Sequence, residues 1–361
     1  MSTQSTPASR TVSISELRKF CIDAFTRAGM NATDAATGAE VLVTTDAWGV
    51  FTHGTKCLRG YVRRLLAGGL RSTGRPSVVA QGPAWAIVDG DSSLGMVTSV
   101  YAMQTAIEKA RQCGIAYAGV RNSCHYGAAG YYAWLAAREG MIGLSMANDT
   151  PSVAAPGSRG AIVGSNPISY AVPAGRYRAI LLDMSVATVA GGKVYAARTR
   201  GEPIPSTWLI GPDGRPTTDP SCYPETGALQ PAAGHKGYGI ALLIETLAGL
   251  LSGAEATWRI GSWMWDDGQG PTHHGAAFVA IDAAAMTAPG ELVRRVEALV
   301  DEIHAAPRAD GCDRLYVPGE MEWERFARAE REGISLPPDV VASLQEAASL
   351  VGIKFELPLR G

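Results

Sequence analysis

The spacing of apolar residues predicts three helices within the first 70 residues. Ser13 and Glu16 have the spacing of a capping box, and the helix that they start is expected to run to about Arg27. Asn31 is expected to cap a second, alanine-rich helix that stops near Gly49. A third helix is predicted by apolar residues at helical spacing, namely Leu58, Tyr61, Val62, Leu65 and Leu66. The chain therefore opens with a helical region.

From about residue 76, short β-type runs alternate with helical patterns. Strands are predicted at 77–80, 85–89, 115–120, 141–146, 168–172, 180–183 and 277–281, and helices at 97–112, 128–139 and 237–251. The strand–helix–strand order over 115–146 predicts a βαβ unit with a parallel strand pair and a right-handed crossover. The segment 201–234, rich in Pro, Gly, Thr and Asp, is expected to be a long irregular loop of the kind that is usually functional.

The pattern becomes helical again after Pro289, over 292–304, 321–332 and 339–351. We therefore predict three regions: an N-terminal helical region (1–75), an α/β region for cofactor and substrate (76–288) and a C-terminal helical region (289–361). The two helical regions are expected to pack together.

Composition narrows the classes of protein that this chain can represent. Its 361 residues carry 32 Lys and Arg against 34 Asp and Glu, a net charge of −2, which argues against a nucleic-acid binder that depends on a basic surface. Six cysteines form no C-x-x-C pair, so reduced thiols are expected. The sequence contains neither an apolar run long enough to span a membrane nor a visible secretory signal, which predicts a cytoplasmic protein without a membrane partner.

Two histidines lie where the predicted elements favour chemistry. His53 begins a helix, whose dipole disfavours the imidazolium and keeps a neutral ring available for proton transfer. His125 follows the predicted strand 115–120, and ligands bind at the carboxyl ends of such strands. An ordinary turn histidine and an ordinary loop histidine are the alternatives at these two positions.

Two further segments have the character of a nucleotide site. Gly234, Gly237 and Gly239 surround His235 and Lys236 immediately before a helix, and this arrangement suits phosphate. Asp183 ends a predicted strand, where a carboxylate can orient a histidine or bind a ribose hydroxyl. A structural glycine turn and a turn aspartate are the alternatives.

Other common motifs are absent or incomplete. No G-x-G-x-x-G follows a predicted strand, and neither a Walker A motif nor H-E-x-x-H occurs. The segment Gly143-Leu144-Ser145-Met146-Ala147 ends in alanine where a hydrolase nucleophile elbow requires glycine. Metal ligands could come from Asp266, Asp267, His273 and His274, but a solvated loop is the simpler interpretation of those four residues.

Taken together, eight segments in order along nearly the whole chain resemble the malate/L-lactate dehydrogenase family of the second, non-Rossmann type. That family includes ureidoglycolate dehydrogenase, diketogulonate reductase, sulfolactate dehydrogenase and the reductases of piperideine or pyrroline 2-carboxylate. The segments are 52–54, 122–132, 141–148, 164–173, 182–193, 216–220, 234–253 and 318–320.

The resemblance implies a mixed α/β sheet with flanking helices, a non-Rossmann NAD(P)-binding fold, a helical region built from both termini, and a homodimer. It implies an oxidoreductase that uses NAD or NADP and moves a hydride to or from C2 of a small 2-hydroxy or 2-oxo acid. Reduction of a cyclic imino acid with NADPH is the alternative within the same family.

The resemblance also assigns site residues. It implies His53 and His125 as catalytic histidines, and we add the strand-end carboxylate Asp183 to them. The matching cofactor-binding residues are Asp183, Met184, Ser185, Val186, Ala187, His235, Lys236, Gly319, Glu320 and Met321.

The expected substrate-binding residues include departures from the family pattern. Thr52 replaces the usual serine before the histidine and retains its hydroxyl, and Tyr61 keeps the family's tyrosine. Cys57 stands where many members carry an arginine for the substrate carboxylate, and Arg59 is the neighbouring cation that could substitute for it. Asp149 stands where the family often has Thr or Ser.

Two functions of other classes compete with the dehydrogenase hypothesis. A metal-dependent hydrolase or lyase would use the Asp266, Asp267, His273 and His274 loop. A non-catalytic small-molecule binder would keep the cofactor fold without turnover, although the presence of His53, His125 and Lys236 argues against it.

Overall fold

The computed structural model describes residues 10–264 and 266–358. Within them lie ten α-helices: α1 (Ile14–Arg27), α2 (Ala32–Ala47), α3 (Leu58–Ala67), α4 (Gly95–Cys113), α5 (Ala129–Arg138), α6 (Gly191–Arg200), α7 (His235–Ile244), α8 (Glu291–Ala305), α9 (Glu320–Glu332) and α10 (Pro338–Val351). The same residues form fourteen β-strands: β1 (Arg10–Val12), β2 (Ser77–Gly82), β3 (Trp85–Asp89), β4 (Ile115–Ser123), β5 (Ile142–Ala147), β6 (Val153–Ala154), β7 (Ala161–Val163), β8 (Ile168–Pro173), β9 (Ala179–Met184), β10 (Leu209–Ile210), β11 (Pro216–Thr217), β12 (Ala228–Leu229), β13 (His274–Ile281) and β14 (Ile334–Leu336).

The strands of the described residues form three sheets. The large sheet has seven strands in the order β2-β3-β4-β13-β5-β8-β9, and a smaller one has the order β11-β10-β12-β6-β7. In the large sheet β3 and β4 are parallel, whereas the other neighbours are antiparallel. Helices α4 and α5 pack on this sheet. The predicted mixed α/β fold is confirmed.

The N-terminal helices begin as the sequence predicts. Ser13 Oγ accepts the backbone N–H of Glu16 at 3.2 Å, and the reciprocal contact completes the capping box. Asn31 caps α2 by accepting the N–H of Asp34 at 3.1 Å. The third helix is α3, which follows a 3₁₀ turn over Thr55–Cys57.

The predicted βαβ unit is only partly correct. β4 and β5 run in the same direction, but they are not paired, because β13 lies between them and pairs antiparallel with both. The insertion of a strand from far along the chain is a long-range contact that leaves no mark in the local pattern of either neighbour. It places the first residue of β13, His274, between the ends of β4 and β5.

The prediction of an irregular loop over 201–234 is wrong in part. This segment contains β10, β11 and β12, which pair with one another and, through β12, with β6 in the five-stranded sheet. Each of these strands has two residues, which is too short for alternation to be recognised. Helix α6, just before the segment, was not predicted. The predicted helix 237–251 begins at His235 and changes at Glu245 to a π-helical segment that ends at Leu250.

Elements from the two ends of the chain contact each other. β1 pairs antiparallel with β14, α3 and the preceding turn contact α10, and α2 contacts α9. Helix α8, although it lies beyond residue 288, contacts β8 of the large sheet instead. The boundaries at 75 and 288 remain a prediction. Among the described residues, none of the helices has the length and apolarity required to cross a bilayer.

Candidate active site

Four strand ends meet at one edge of the large sheet. β4, β5 and β9 run in the same direction and end there, and β13 begins there. His125 lies two residues after β4, Asp149 lies two residues after β5, Asp183 is near the end of β9, and His274 starts β13. The carboxyl ends of strands are where open α/β sheets bind ligands.

A buried carboxylate holds the turn that carries His53. Asp46, 1% exposed in the last turn of α2, accepts hydrogen bonds through Oδ2 from the backbone N–H of Thr55, at 3.1 Å, and from the Thr55 hydroxyl. A Cβ added at Gly54 would lie 1.8 Å from Asp46 Oδ1, so glycine is required there. Burial raises the pKa of Asp46 to about 7, against the opposing hydrogen bonds from Thr55.

Four aromatic rings bring His53 and His125 together. The two imidazoles stack with centroids 5.6 Å apart, and His125 also stacks on Trp263 at 4.0 Å with planes 8° apart. Tyr61 stacks on Trp263 at 5.3 Å, and its hydroxyl lies 2.6 Å from Nδ1 of His125. Thr52 Oγ1 lies 3.0 Å from Nδ1 of His53. The structure thus brings Thr52, His53, Tyr61 and His125 together and adds Trp263 to them.

Both imidazoles are neutral at physiological pH. Both residues are half-buried, and the surrounding protein desolvates the charged form of each ring. This burial lowers the pKa of His53, and nearby Asp149 only partly opposes it. Burial and the neighbouring His53 lower the pKa of His125 to about 3. Burial also raises the pKa of Tyr61 well above its usual value, so its hydroxyl keeps its proton.

An anionic residue lies beside the two histidines. Asp149 Oδ1 lies 3.0 Å from Nε2 of His274, whose side chain is 3% exposed, and also accepts the N–H of Thr150 at 2.8 Å. Burial acts to raise the pKa of Asp149, but its contact with His274, chiefly a hydrogen bond, outweighs burial and holds that pKa below its usual value. Asp149 is therefore ionised at neutral pH. His274 Nδ1 is buried and has no hydrogen-bond partner.

Asp183 lies at the same sheet edge, against the start of α5. Its Oδ2 accepts the N–H of Gly130 at 2.7 Å. Desolvation by the surrounding protein raises the pKa of Asp183 to about 6, although the residue is exposed to solvent and the Gly130 N–H favours the charged form. Asp183 therefore combines an anchored oxygen with access to a ligand.

The segment after β9 and the start of α7, both predicted to bind cofactor, lie side by side. Val186 C=O accepts the N–H of Ala232 at 2.8 Å, and Ala187 forms an isolated bridge with Pro231. Met184 ends β9, and Ser185 Oγ accepts the N–H of Ala187 at 2.9 Å. His235 and Lys236, the first residues of α7, are exposed.

The start of α6 also reaches the site, because a Cβ at Gly192 would lie 3.8 Å from Cγ2 of Thr52.

The segment 319–321 is next to β9, but its carboxylate is already engaged. Gly319 packs directly on Leu181 of β9, where an added Cβ would meet it at 2.8 Å. Glu320 is 7% exposed and forms ion pairs with His304 at 3.0 Å and Arg314 at 2.9 Å. Met321 is exposed. The structure thus gives Glu320 a role in holding α8 and α9 together.

Comparison with known proteins identifies the family and supports the fold. A profile described as malate/L-lactate dehydrogenase matches residues 12–345. The chain belongs to the malate/L-lactate dehydrogenase family. It is 36% identical over 346 residues to malate dehydrogenase of Pyrococcus abyssi, covering 94% of each chain, and 30% identical over 347 residues to the Delta(1)-pyrroline-2-carboxylate/Delta(1)-piperideine-2-carboxylate reductase of Pseudomonas putida, covering 96% and 99%.

The solved structure of sulfolactate dehydrogenase from Methanocaldococcus jannaschii superposes with a TM-score of 0.88 at 33% identity, covering 96% of this chain and 98% of that one. As a member of the malate/L-lactate dehydrogenase family, the protein is an oxidoreductase. The predicted resemblance and enzyme class are confirmed.

Two expected features of the family site differ in this member. The Cys57 thiol is buried and donates to Thr52 C=O at 3.2 Å, so the position of the common arginine carries no charge. Arg59, predicted to bind substrate, is exposed and forms an ion pair with Glu346 at 2.7 Å. The structure does not bring Arg59 to the histidines, because its position on α3 directs it to α10.

The four residues proposed as metal ligands do not converge. His274 bonds to Asp149, whereas Asp266 forms an ion pair with Arg64 at 2.5 Å. Asp267 and His273 are exposed. Over residues 10–264 and 266–358, no group of three or more His, Cys, Asp or Glu side chains is arranged to hold a metal ion.

Sequence reasoning missed three residues of this member's site. Trp263 lies in an irregular segment without a motif, and only tertiary packing brings it to His125. Asp46 looks like an ordinary helix aspartate, although its spacing from Gly54 and Thr55 was an available signal. In the sequence His274 stands out only as a possible metal ligand, because its contact with Asp149 requires the insertion of β13 between β4 and β5.

Proposed function

We propose that this protein transfers a hydride between a nicotinamide cofactor, NAD or NADP, and C2 of a small 2-hydroxy or 2-oxo acid of the malate, lactate or ureidoglycolate type. The observation that carries the proposal is the pair of neutral, stacked imidazoles of His53 and His125 at the edge where three strands end. A neutral imidazole can accept the hydroxyl proton of the acid on oxidation and return it to the carbonyl on reduction.

The hydrogen bonds of the two rings favour different roles for them. Tyr61 keeps its proton and can donate a hydrogen bond to Nδ1 of His125, which would leave the proton of the neutral His125 ring on Nε2, where it can bind the substrate oxygen. Thr52 can accept the Nδ1 proton of His53, which leaves a lone pair on Nε2. We therefore assign His53 as the acid/base and His125 as the hydrogen-bond donor that orients the substrate.

The residues around the start of α7 suit a dinucleotide. A Cβ at Gly234 or Gly239 would meet no atom within 4 Å, so the helix start is open to a ligand. Lys236 forms no side-chain hydrogen bond or ion pair with any described residue and offers a charge to phosphate beside the helix N–H groups. Asp183 could bind a ribose hydroxyl. The bound cofactor would supply or take up the hydride, and the segment 184–187 with His235 and 319–321 would line its site.

Several finer features belong to the same proposal. We propose a homodimer, because α7 and its π-helical continuation expose a run of leucines: Leu242, Leu243, Leu250 and Leu251. We also propose a cytoplasmic location. Among substrates, the cyclic imino acids are the alternative, and the uncharged Cys57 position and Asp149 are the observations that favour it.

A spectrophotometric screen at 340 nm tests the proposal. It would cross NADH and NADPH with pyruvate, oxaloacetate, a ureidoglycolate-type acid and cyclic imino acids. Turnover that needs reduced cofactor and persists in EDTA excludes the metal-dependent hydrolase or lyase. Cofactor binding without turnover of any substrate would instead identify a non-catalytic binder.

The role of His53 is tested by replacing it with alanine. We expect His53→Ala to lower kcat roughly 10²–10⁴-fold, because the proton then has no positioned acceptor. The Kd for reduced cofactor, measured by its fluorescence, should stay the same. His273→Asn, a change of an exposed histidine, is the matched control. Turnover of His53→Ala close to that of the wild type would remove His53 from the mechanism.

A further inference from the structure

The segment that comprises the His53 turn and α3 has four basic side chains. Each of them forms its contacts away from the two histidines. The pairs are Lys56 with Asp339 at 2.7 Å, Arg59 with Glu346 at 2.7 Å, Arg64 with Asp266 at 2.5 Å, and Arg63 with the backbone carbonyls of Met264 and Asp266 at 3.0 and 2.9 Å. Because Cys57 occupies the family's arginine position, this segment contributes no free positive charge to the substrate.

The loop after β5 contributes a negative charge to the same place. Asn166 Oδ1 accepts the N–H of Asp149 at 3.1 Å, and Asn148 Oδ1 accepts the N–H of Gly275 at 2.8 Å, so the loop is fixed to the start of β13. His125 lies two residues after β4, and Asp149 lies two residues after β5. β13 pairs with both strands and lies between them, and neighbouring strands of a sheet are about 4.8 Å apart. Backbone pairing therefore holds the Asp149 carboxylate near His53 and His125, close enough for its charge to act on both rings.

The contact with His274 does not cancel that charge. Nδ1 of His274 is buried without an acceptor, so a proton there would be an unsatisfied buried donor, and the ring donates to Asp149 Oδ1 through Nε2. That hydrogen bond engages only one oxygen of the carboxylate. Asp149 Oδ2 has no hydrogen-bond partner among the described residues, and the side chain is 21% exposed.

We infer that Asp149 is a specificity-determining residue, and that the substrate of this enzyme carries a positively charged nitrogen that its carboxylate binds. The inference rests on the proposed function and narrows its substrate class. A second carboxylate, as in malate, would meet a like charge where other members offer Thr or Ser, and is disfavoured. The cationic nitrogen can belong to a protonated C=N at the reacting carbon or to the far end of a 2-oxo acid chain.

The test compares substrates that differ in charge. The values of kcat/KM are measured for oxaloacetate, pyruvate, Δ1-piperideine-2-carboxylate and 5-guanidino-2-oxopentanoate, with wild type, Asp149→Asn and Asp149→Ser. We expect each variant to lower the ratio of kcat/KM for the cationic substrate to kcat/KM for oxaloacetate roughly ten- to a hundredfold. The kcat/KM for pyruvate should change far less. A loss confined to the imine places the cation at the reacting carbon, and a loss confined to the guanidino acid places it at the chain end.

A binding measurement separates this inference from the proposed function. Calorimetric titration of each protein with L-malate and L-pipecolate should show tighter malate and weaker pipecolate binding in both variants, whether or not turnover occurs. The control Asp282→Asn removes a charge at the opposite end of β13 and should change the affinity for neither ligand.

The inference would be overturned if neither Asp149 variant changed the kcat/KM ratio or the relative affinities for malate and pipecolate. The proposed dehydrogenase function would then still stand. If no substrate were turned over but both variants still bound malate more tightly and pipecolate more weakly, the result would count against the proposed function alone.

Discussion

The imidazole of His125 lies parallel to the indole of Trp263, with centroids 4.0 Å apart and planes 8° apart. Trp263 is 6% exposed and also stacks on Tyr61, whose hydroxyl contacts the same imidazole. The indole therefore fixes both the plane of the His125 ring and the phenol that contacts its Nδ1. Stacked pairs of this kind contribute about 0.5–1.5 kcal/mol beyond the area that they bury.

We expect Trp263→Ala to lower kcat/KM roughly tenfold, because His125 would lose the surface that orients it. Trp263→Phe keeps an aromatic face and should retain most of the activity. Trp258→Ala is a suitable control, since Trp258 is 68% exposed. Steady-state kinetics on the three variants checks this, and equal losses in Trp263→Ala and Trp258→Ala would contradict a specific role for the stack.

The buried Asp46 beneath the His53 turn should make stability depend on pH. Its folded pKa of about 7 exceeds the ordinary value of 3.8, so the native state binds a proton that the unfolded state releases between these values. The contribution of Asp46 is therefore fully present below about pH 4 and is lost as the pH rises towards 7. Asp46→Asn cannot ionise, so its stability relative to wild type should rise over that range by up to about 1.4 kcal/mol per pH unit.

Urea unfolding at pH 4.5, 6, 8 and 9 measures this difference. Between pH 8 and 9 it should become constant, because wild-type Asp46 is then ionised in both states. The exposed Asp23 on α1 provides the control Asp23→Asn, whose effect should not follow this course. A difference for Asp46→Asn that is independent of pH would refute the raised pKa.

Lys236 should contribute to cofactor affinity. Lys236→Met removes an unpaired positive charge at the start of α7, and we expect the Kd for NADH or NADPH to rise roughly tenfold with a smaller change in kcat. Lys19→Met on α1 removes an exposed charge that pairs with Asp23 on the same helix, and should leave cofactor affinity unchanged. Fluorescence titration of reduced cofactor provides the measurement. An unchanged affinity would show that Lys236 at the start of α7 does not bind the cofactor phosphate.

The exposed leucines of α7 should hold the homodimer together. Leu243 is 51% exposed, and Leu243→Asp would place a charge in the proposed interface, so we expect it to give a monomer. Leu299→Asp introduces the same change on α8, where Leu299 is 47% exposed, and should leave the dimer intact. Light scattering after size exclusion distinguishes these results. A wild-type monomer, or a dimeric Leu243→Asp variant, would reject this interface.

The local sequence determined the elements whose signals are local. Ser13, Glu16 and Asn31 mark helix starts by their own hydrogen bonds, so α1 and α2 could be predicted to within a residue or two. The ordered motifs around His53, His125 and Lys236 likewise sufficed for the family, because each is a short contiguous run whose residue types are visible without any fold.

Tertiary structure alone decided how those runs meet. The insertion of β13 between β4 and β5 joins His274 to Asp149, and an irregular segment brings Trp263 onto His125, although no periodicity in either segment indicates its partner. The exclusion of Arg59 from the site has the same origin, since its direction depends on where α10 packs. Pairing and burial between residues distant in sequence arise from the packing of the whole chain, and a local pattern carries no record of them.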